Sequence, residues 1–191
     1  MPASTTKPRL GSPDVFALRS SQTPSVESTH HHLTARRRVS LGSSVSVVFE
    51  DRQTVWFRVQ ELSRCARGND VRRQLDWYAR LLPGGGRVRA AVWLNARGPA
   101  VEGLRETVAG GRLVLTSSTG HRVVGAYLSQ RVTDRLIGLV RWVEFRFTAE
   151  DREALHDATA QWRMSLELDG VEELSADVDE CVLESLSADV G

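Results

Sequence analysis

At 191 residues and 41% hydrophobic content, the chain suits one domain with tails and can bury a sizeable core. Its apolar runs fall far short of the roughly 20 residues of a membrane span, the opening MPASTTKPRLGSPDVF lacks the apolar region of a secretory signal, and two cysteines cannot build a disulfide framework or a Cys-rich zinc site, so a cytoplasmic location is expected. The net charge of +1 hides an asymmetry: residues 1–163 hold all 25 basic side chains against 15 acids, whereas residues 164–191 hold 9 acids and no base.

Residues 1–33, rich in Ser, Thr, Pro and His, read as disordered, with a short helix near 14–21. Residues 34–170 read as one domain and 171–191 as an acidic amphipathic tail. After the turn at Gly42, Val45–Phe49 form a strand. Asp51 caps a helix running to about Arg67, with Val55, Val59, Leu62 and Ala66 as its apolar stripe. Arg58, Glu61 and Arg64 share the other side, where they form exposed ion pairs. A second helix starts at Asn69 or Asp70, carries Val71, Leu75, Tyr78 and Leu82, and stops at Pro83-Gly84-Gly85-Gly86.

Arg87–Leu94 alternates Val88, Ala90, Val92 and Leu94 inward, the pattern of a half-buried strand. A short helix from Pro99 carries Leu104 and Val108 and ends at Gly110-Gly111. Arg112–Ser117 and His121–Leu128 flank Thr119-Gly120 as a hairpin. Leu139–Phe147 is a strand broken by Arg141, and Thr148 with Asp151 opens a helix through a capping box. Gln161–Leu168 is the last strand. The tail reads as a helix from Glu172, with Leu174, Val178, Cys181, Val182 and Leu186 on one side. The string LSADV occurs in it twice, at 174–178 and 186–190.

Successive strands joined by short turns favour antiparallel pairing. The expected fold is therefore α+β: a mostly antiparallel sheet of about five or six strands with helices packed on one face, a disordered N-terminus and an acidic helical C-terminal tail.

Several segments together resemble a bacterial family known as domain of unknown function 3501. They are Arg37-Arg38-Val39, Gly42, Phe49-Glu50-Asp51-Arg52, Thr54-Val55, Gln60-Glu61 with Arg64, QLDWYARLLP, AAVWL and VRWVEFRF. The resemblance spans roughly residues 33–170. It implies a fold and a redox or stress gene setting, and no established activity. Where the family tends to carry an Asp-His-Pro-like turn, this chain has Asp169-Gly170-Val171.

Two function classes follow. One is an accessory protein that binds a protein partner, or self-associates, through the acidic tail; the tail could equally fold back on the chain's own basic body. The other is an enzyme or metal-dependent protein built on Glu50, Arg52, Gln60, Glu61, Arg64 and Tyr78, whose carboxylates and arginines could converge across one strand–helix connection. Against the second, Asp51 can serve as a cap and Glu61 as an ordinary ion-pair partner. No motif names a cofactor, no Cys or His spacing matches a zinc site, and the His30-His31-His32 run cannot aim at one ion from a regular element. Arg36, Arg37, Arg38, Arg72, Arg73, Arg87 and Arg89 could meet nucleic acid, but no binding motif accompanies them. A solvated face, or a dock for the tail, is the better reading of those arginines.

Overall fold

A computed structural model describes residues 26–65, 75–95, 103, 107–128 and 140–191. The expected helix near 14–21 and the starts of the helices at 69–70 and 99 lie outside them. The α+β class holds, with every strand pair antiparallel. The strands form two sheets rather than one. The first has the order β1-β2-β3-β7-β6, from β1 (Arg38–Leu41), β2 (Val45–Glu50), β3 (Arg87–Leu94), β6 (Ala126–Tyr127) and β7 (Val140–Arg146). The second has the order β5-β4-β8-β9, from β4 (Arg112–Ser117), β5 (Arg122–Val124), β8 (Trp162–Leu168) and β9 (Val171–Asp177).

The sheets share one core. Val47, Phe49, Val88, Val143 and Phe145 from the first are buried in the same cluster as Leu113, Leu115, Val123, Trp162, Met164 and Leu166 from the second. These are the alternating apolar positions of the sequence, which side-chain period two places on one face. The chain passes from one sheet to the other at Gly125, between β5 and β6, where its N–H donates to the Leu113 carbonyl (2.8 Å). A Cβ at Gly125 would lie 2.6 Å from Val143 Cγ2 and 3.1 Å from the Leu113 carbonyl oxygen. Gly125→Ala is therefore expected to cost about 1–3 kcal/mol through overpacking, read as a lower urea midpoint. An unchanged midpoint would show that the crossing relaxes freely.

The longer helices are α1 (Val26–Ala35), α2 (Arg52–Cys65), α3 (Ala149–His156) and α4 (Glu180–Val190), and shorter helical stretches lie at 75–81 and 107–110. The segment expected as disordered through residue 33 is helical from Val26. Asp51 does cap α2: its Oδ1 accepts the Thr54 N–H (2.7 Å), and the Thr54 hydroxyl accepts the Asp51 N–H (2.8 Å). The capping box of α3 forms between Thr148 and Asp151. Burial pushes the Asp151 carboxyl up, but hydrogen bonds from Thr148 and from His121 hold it below its ordinary value.

The tail differs from the single helix expected from Glu172. Val171–Asp177 is strand β9, paired to β8, and the helix starts only at Glu180. The cause is the Asp169-Gly170 turn, whose residues take φ of 51° and 82°. Two successive positive-φ residues make the tight turn that matches strand twist, and Asp-Gly is a preferred pair for it. α4 then lays Val182, Leu186 and Val190 into the shared core, with Val178 buried just before it. The tail thus docks on its own chain.

Candidate functional site

The first sheet is covered on its other side too. Residues of opposite parity on β2, β3 and β7 face away from the shared core, and the register lines them up in rows. Glu50 pairs across to Arg89, and Arg89 to Glu144; Val48 pairs to Ala91, and Ala91 to Trp142. α2 and a short helical turn ending in Ala79–Leu81 close over this face. A second small core results, built from Val55, Val59, Tyr78, Leu81, Ala91 and Trp142, with Trp77, Trp93, Leu75, Leu82 and Leu128 half-buried at its margin. β3, expected to be half-buried, is therefore covered on both sides.

A buried ion pair sits inside this apolar layer. Arg58 donates from Nε (3.0 Å) and Nη2 (2.6 Å) to Glu50 Oε1. Its guanidinium carbon lies 5.2 Å from the Trp93 ring centroid and 5.1 Å from that of Trp142. The plane of an arginine stacks on an indole while its edge stays free to hydrogen-bond. Glu50 is 0% and Arg58 4% exposed. Glu50 Oε2 is buried without a hydrogen-bond partner, as are the indole N–H groups of Trp77 and Trp142.

Beside it, Arg89 bonds Glu144 through Nε (2.9 Å) and the Leu82 carbonyl through Nη1 (2.8 Å), and Arg146 takes the other Glu144 oxygen (2.7 Å). Burial pushes the Glu144 carboxyl up, but Arg146 and Arg89 together hold it below its usual range.

One residue further along the chain from Glu50, a second cluster joins three elements. Arg37, nearly buried in the turn before β1, bonds Asp51 through Nε (3.0 Å) and Asp189 of α4 through Nη1 (2.8 Å) and Nη2 (2.6 Å). Burial pushes the Asp189 carboxyl up, against Arg37 and with help from the Asp51 charge, to about 6. A surface cleft of about 370 Å³ opens beside Arg37, with His32, Arg36, Asp51, Gln53 and Glu184 on its walls.

Of the residues expected to form a polar site, Glu50 and Tyr78 enter the small core. Arg52 is exposed and Gln60 half-buried on α2, and the side chains of Glu61 and Arg64 lie outside those described. The expectation for Arg58 is overturned: it faces inward, because Glu50 at the end of β2 offers it a partner below the helix. Sequence reasoning missed Arg58, Glu144, Trp93 and Trp142 as members. The available signal was parity: in RVRAAVWL and VRWVEFRF the polar and indole side chains occupy the positions between the core residues.

In this arrangement Glu50, Asp51, Glu144 and Asp189 are each held by an arginine. Such geometry suits stacking, recognition and cross-linking of elements better than proton transfer, which needs a carboxyl turned to substrate. Among the described residues, no group of three or more His, Cys, Asp or Glu side chains is placed to hold a metal ion, and no helix is long and apolar enough to cross a membrane.

The family model described as protein of unknown function (DUF3501) matches residues 20–190. The chain belongs to that family. The match includes β9 and the whole of α4, so the acidic tail lies within the DUF3501 unit. A crystal structure of a protein of unknown function from Burkholderia pseudomallei is similar in fold, with a TM-score of 0.71 at 19% identity, covering 87% of this chain and 90% of that one. No curated protein matches.

Proposed function

We propose that this DUF3501 protein is a non-catalytic binding protein whose protein partner presents a basic surface to the acidic side formed by β9 and α4. The supporting observation is the split of the tail into two sides. Its apolar stripe is buried in the protein's own core, while seven carboxylates from Asp169 to Glu184 are exposed. No base follows Arg163 in the sequence. Among the described residues, the ion pairs that reach these carboxylates are weak: Arg36 reaches Glu184 at 3.4 Å with both side chains exposed, and Arg163 reaches Asp177 at 4.0 Å. Exposed carboxylates in such excess over bases steer and hold an oppositely charged partner. The gene setting that the family resemblance implies would make that partner a cytoplasmic redox or stress protein.

The test is binding of the full chain to the products of neighbouring genes. Affinity should fall at least about tenfold between 0.1 and 0.5 M salt. It should fall similarly in Glu172→Arg/Glu173→Arg/Asp179→Arg, which alters exposed side chains alone. Salt-independent binding, or binding indifferent to the charge reversal, would exclude the acidic side as the interface.

A second reading, a small-molecule or enzymatic site at the Glu50 cluster with Arg52, Gln60, Glu61, Arg64 and Tyr78, is favoured by the buried, unpartnered Glu50 Oε2. Titration with amine and guanidine compounds, followed by tryptophan fluorescence, tests it. A response abolished in Glu50→Gln supports this reading, and no response from any compound counts against it.

A further inference from the structure

We propose that the open edge of β9 takes an extended basic segment of the protein partner as an added strand. The inference rests on the acidic-side reading above and says how the partner is held. β9 ends the second sheet: β8 pairs with one of its edges, and among the described residues no strand pairs with the other. It is also the longest strand at a sheet margin, with seven residues against four in β1, three in β5 and two in β6. An unpaired edge presents a row of backbone N–H and C=O groups on which another strand can form.

The direction of those groups follows from one bond. The Val178 N–H donates to the carbonyl of Trp162 in β8 (2.8 Å). Backbone groups alternate sides along an antiparallel strand, so those of Ala176 and Leu174 point to β8 and those of Asp177 and Ser175 point outward. The other sheet meets β9 on its inner face instead, where Leu174 packs against the shared core beside the turn at Gly42.

The side chains choose the occupant. Proteins guard an edge with proline, lysine, bulges or charge. β9 has neither proline nor lysine; it carries a bulge opposite Leu166 and Glu167 and the exposed carboxylates Glu172, Glu173 and Asp177. These disfavour a second copy of the chain. Antiparallel pairing centred on Ser175 would set Glu173 of one copy opposite Asp177 of the other, and like charges directly opposite repel. The same carboxylates favour a strand with Arg or Lys at alternate positions, which fall on one face. Main-chain bonds then supply affinity, and the acid–base pairs select the segment.

The probe is a synthetic peptide alternating arginine with valine, titrated into the full chain at low salt while amide exchange is followed. In the free protein the Ser175 and Asp177 amides should exchange faster than those of Leu174 and Ala176. Saturating peptide should slow Ser175 and Asp177 at least about tenfold. N-methylating one alternate set of peptide amides, which removes donors and keeps the charge, should weaken binding at least about tenfold, and methylating the other set should not. Ser175→Pro deletes one outward donor and spares the β8 pairs, so it should weaken binding too; if that variant fails to fold, the methylated peptides decide alone. Binding that is lost in Glu172→Arg/Glu173→Arg/Asp179→Arg, yet leaves Ser175 and Asp177 unprotected and ignores methylation, overturns the added strand and keeps the acidic surface as the interface. Edge protection that survives this charge reversal overturns the acidic reading, and with it the choice of a basic segment. No binding at millimolar peptide overturns the added strand. Protection of the same amides that rises with protein concentration alone makes a second copy the occupant and overturns it equally.

Discussion

Arg58→Ala should destabilise the protein by about 3–5 kcal/mol, one of the largest effects of any single substitution in the chain. Truncating one member of a buried ion pair leaves the other charged and unpaired in an apolar layer, and that penalty exceeds the value of the pair itself. Here the remaining member is Glu50, at 0% exposure. Its Oε1 would lose both bonds from Arg58, and its Oε2 already has no partner. Trp93 and Trp142 would also face the space left by the guanidinium.

Urea unfolding followed by tryptophan emission measures the effect. Replacing both members at once, Glu50→Leu with Arg58→Met, should recover most of the loss, because a packed apolar pair of similar size can match a buried ion pair. A loss below about 1 kcal/mol for Arg58→Ala would place the pair in the class of exposed salt bridges and Arg58 on the outside of α2.

Removing residues 172–191 should abolish folding altogether. The deletion takes Val178, Val182, Leu186 and Val190 out of the core. Burial of each such side chain is worth about 1.5–3 kcal/mol. Four of them approach the whole stability of a typical domain, about 5–15 kcal/mol. The deletion also strips β8 of its partner β9. Circular dichroism and a thermal scan of the truncated chain decide the matter. A cooperative transition within a few degrees of the full chain would mean that the tail is a dispensable appendage and that the core closes without α4.

Much of this fold was legible from local patterns. Where one strand face meets the core, period-two alternation placed β2, β3, β4, β7 and β8 close to their observed spans. Asp51 and the Thr148–Asp151 box marked helix starts correctly, because a cap is a contact between residues three apart and needs no tertiary partner. The candidate site was less visible. Glu50 was singled out, but its partner Arg58 lies about two turns further along α2 than the Asp51 cap. Whether Arg58 points to solvent or to the sheet depends on Trp93 and Trp142, which are 35 and 84 positions away in the chain.

The repeated LSADV pentapeptide shows where local information ends. At 174–178 its first four residues end strand β9, and at 186–190 it closes helix α4. The five residues are identical, so their propensities are identical, and what differs is the partner each copy finds. The first follows an Asp-Gly turn that folds it against β8, leaving the Asp177 side chain 88% exposed. The second faces the shared core with Leu186 and Val190 one helical turn apart, and its Asp189, 14% exposed, is held by Arg37 from 152 positions earlier. Composition, alternation and caps determined the class of fold, its antiparallel pairing and the acidic character of the tail. The division into two sheets, the conformation of each LSADV copy and the inward turn of Arg58 were settled by contacts between distant segments, because only those contacts repay the burial of a charge or the choice of one backbone conformation over another.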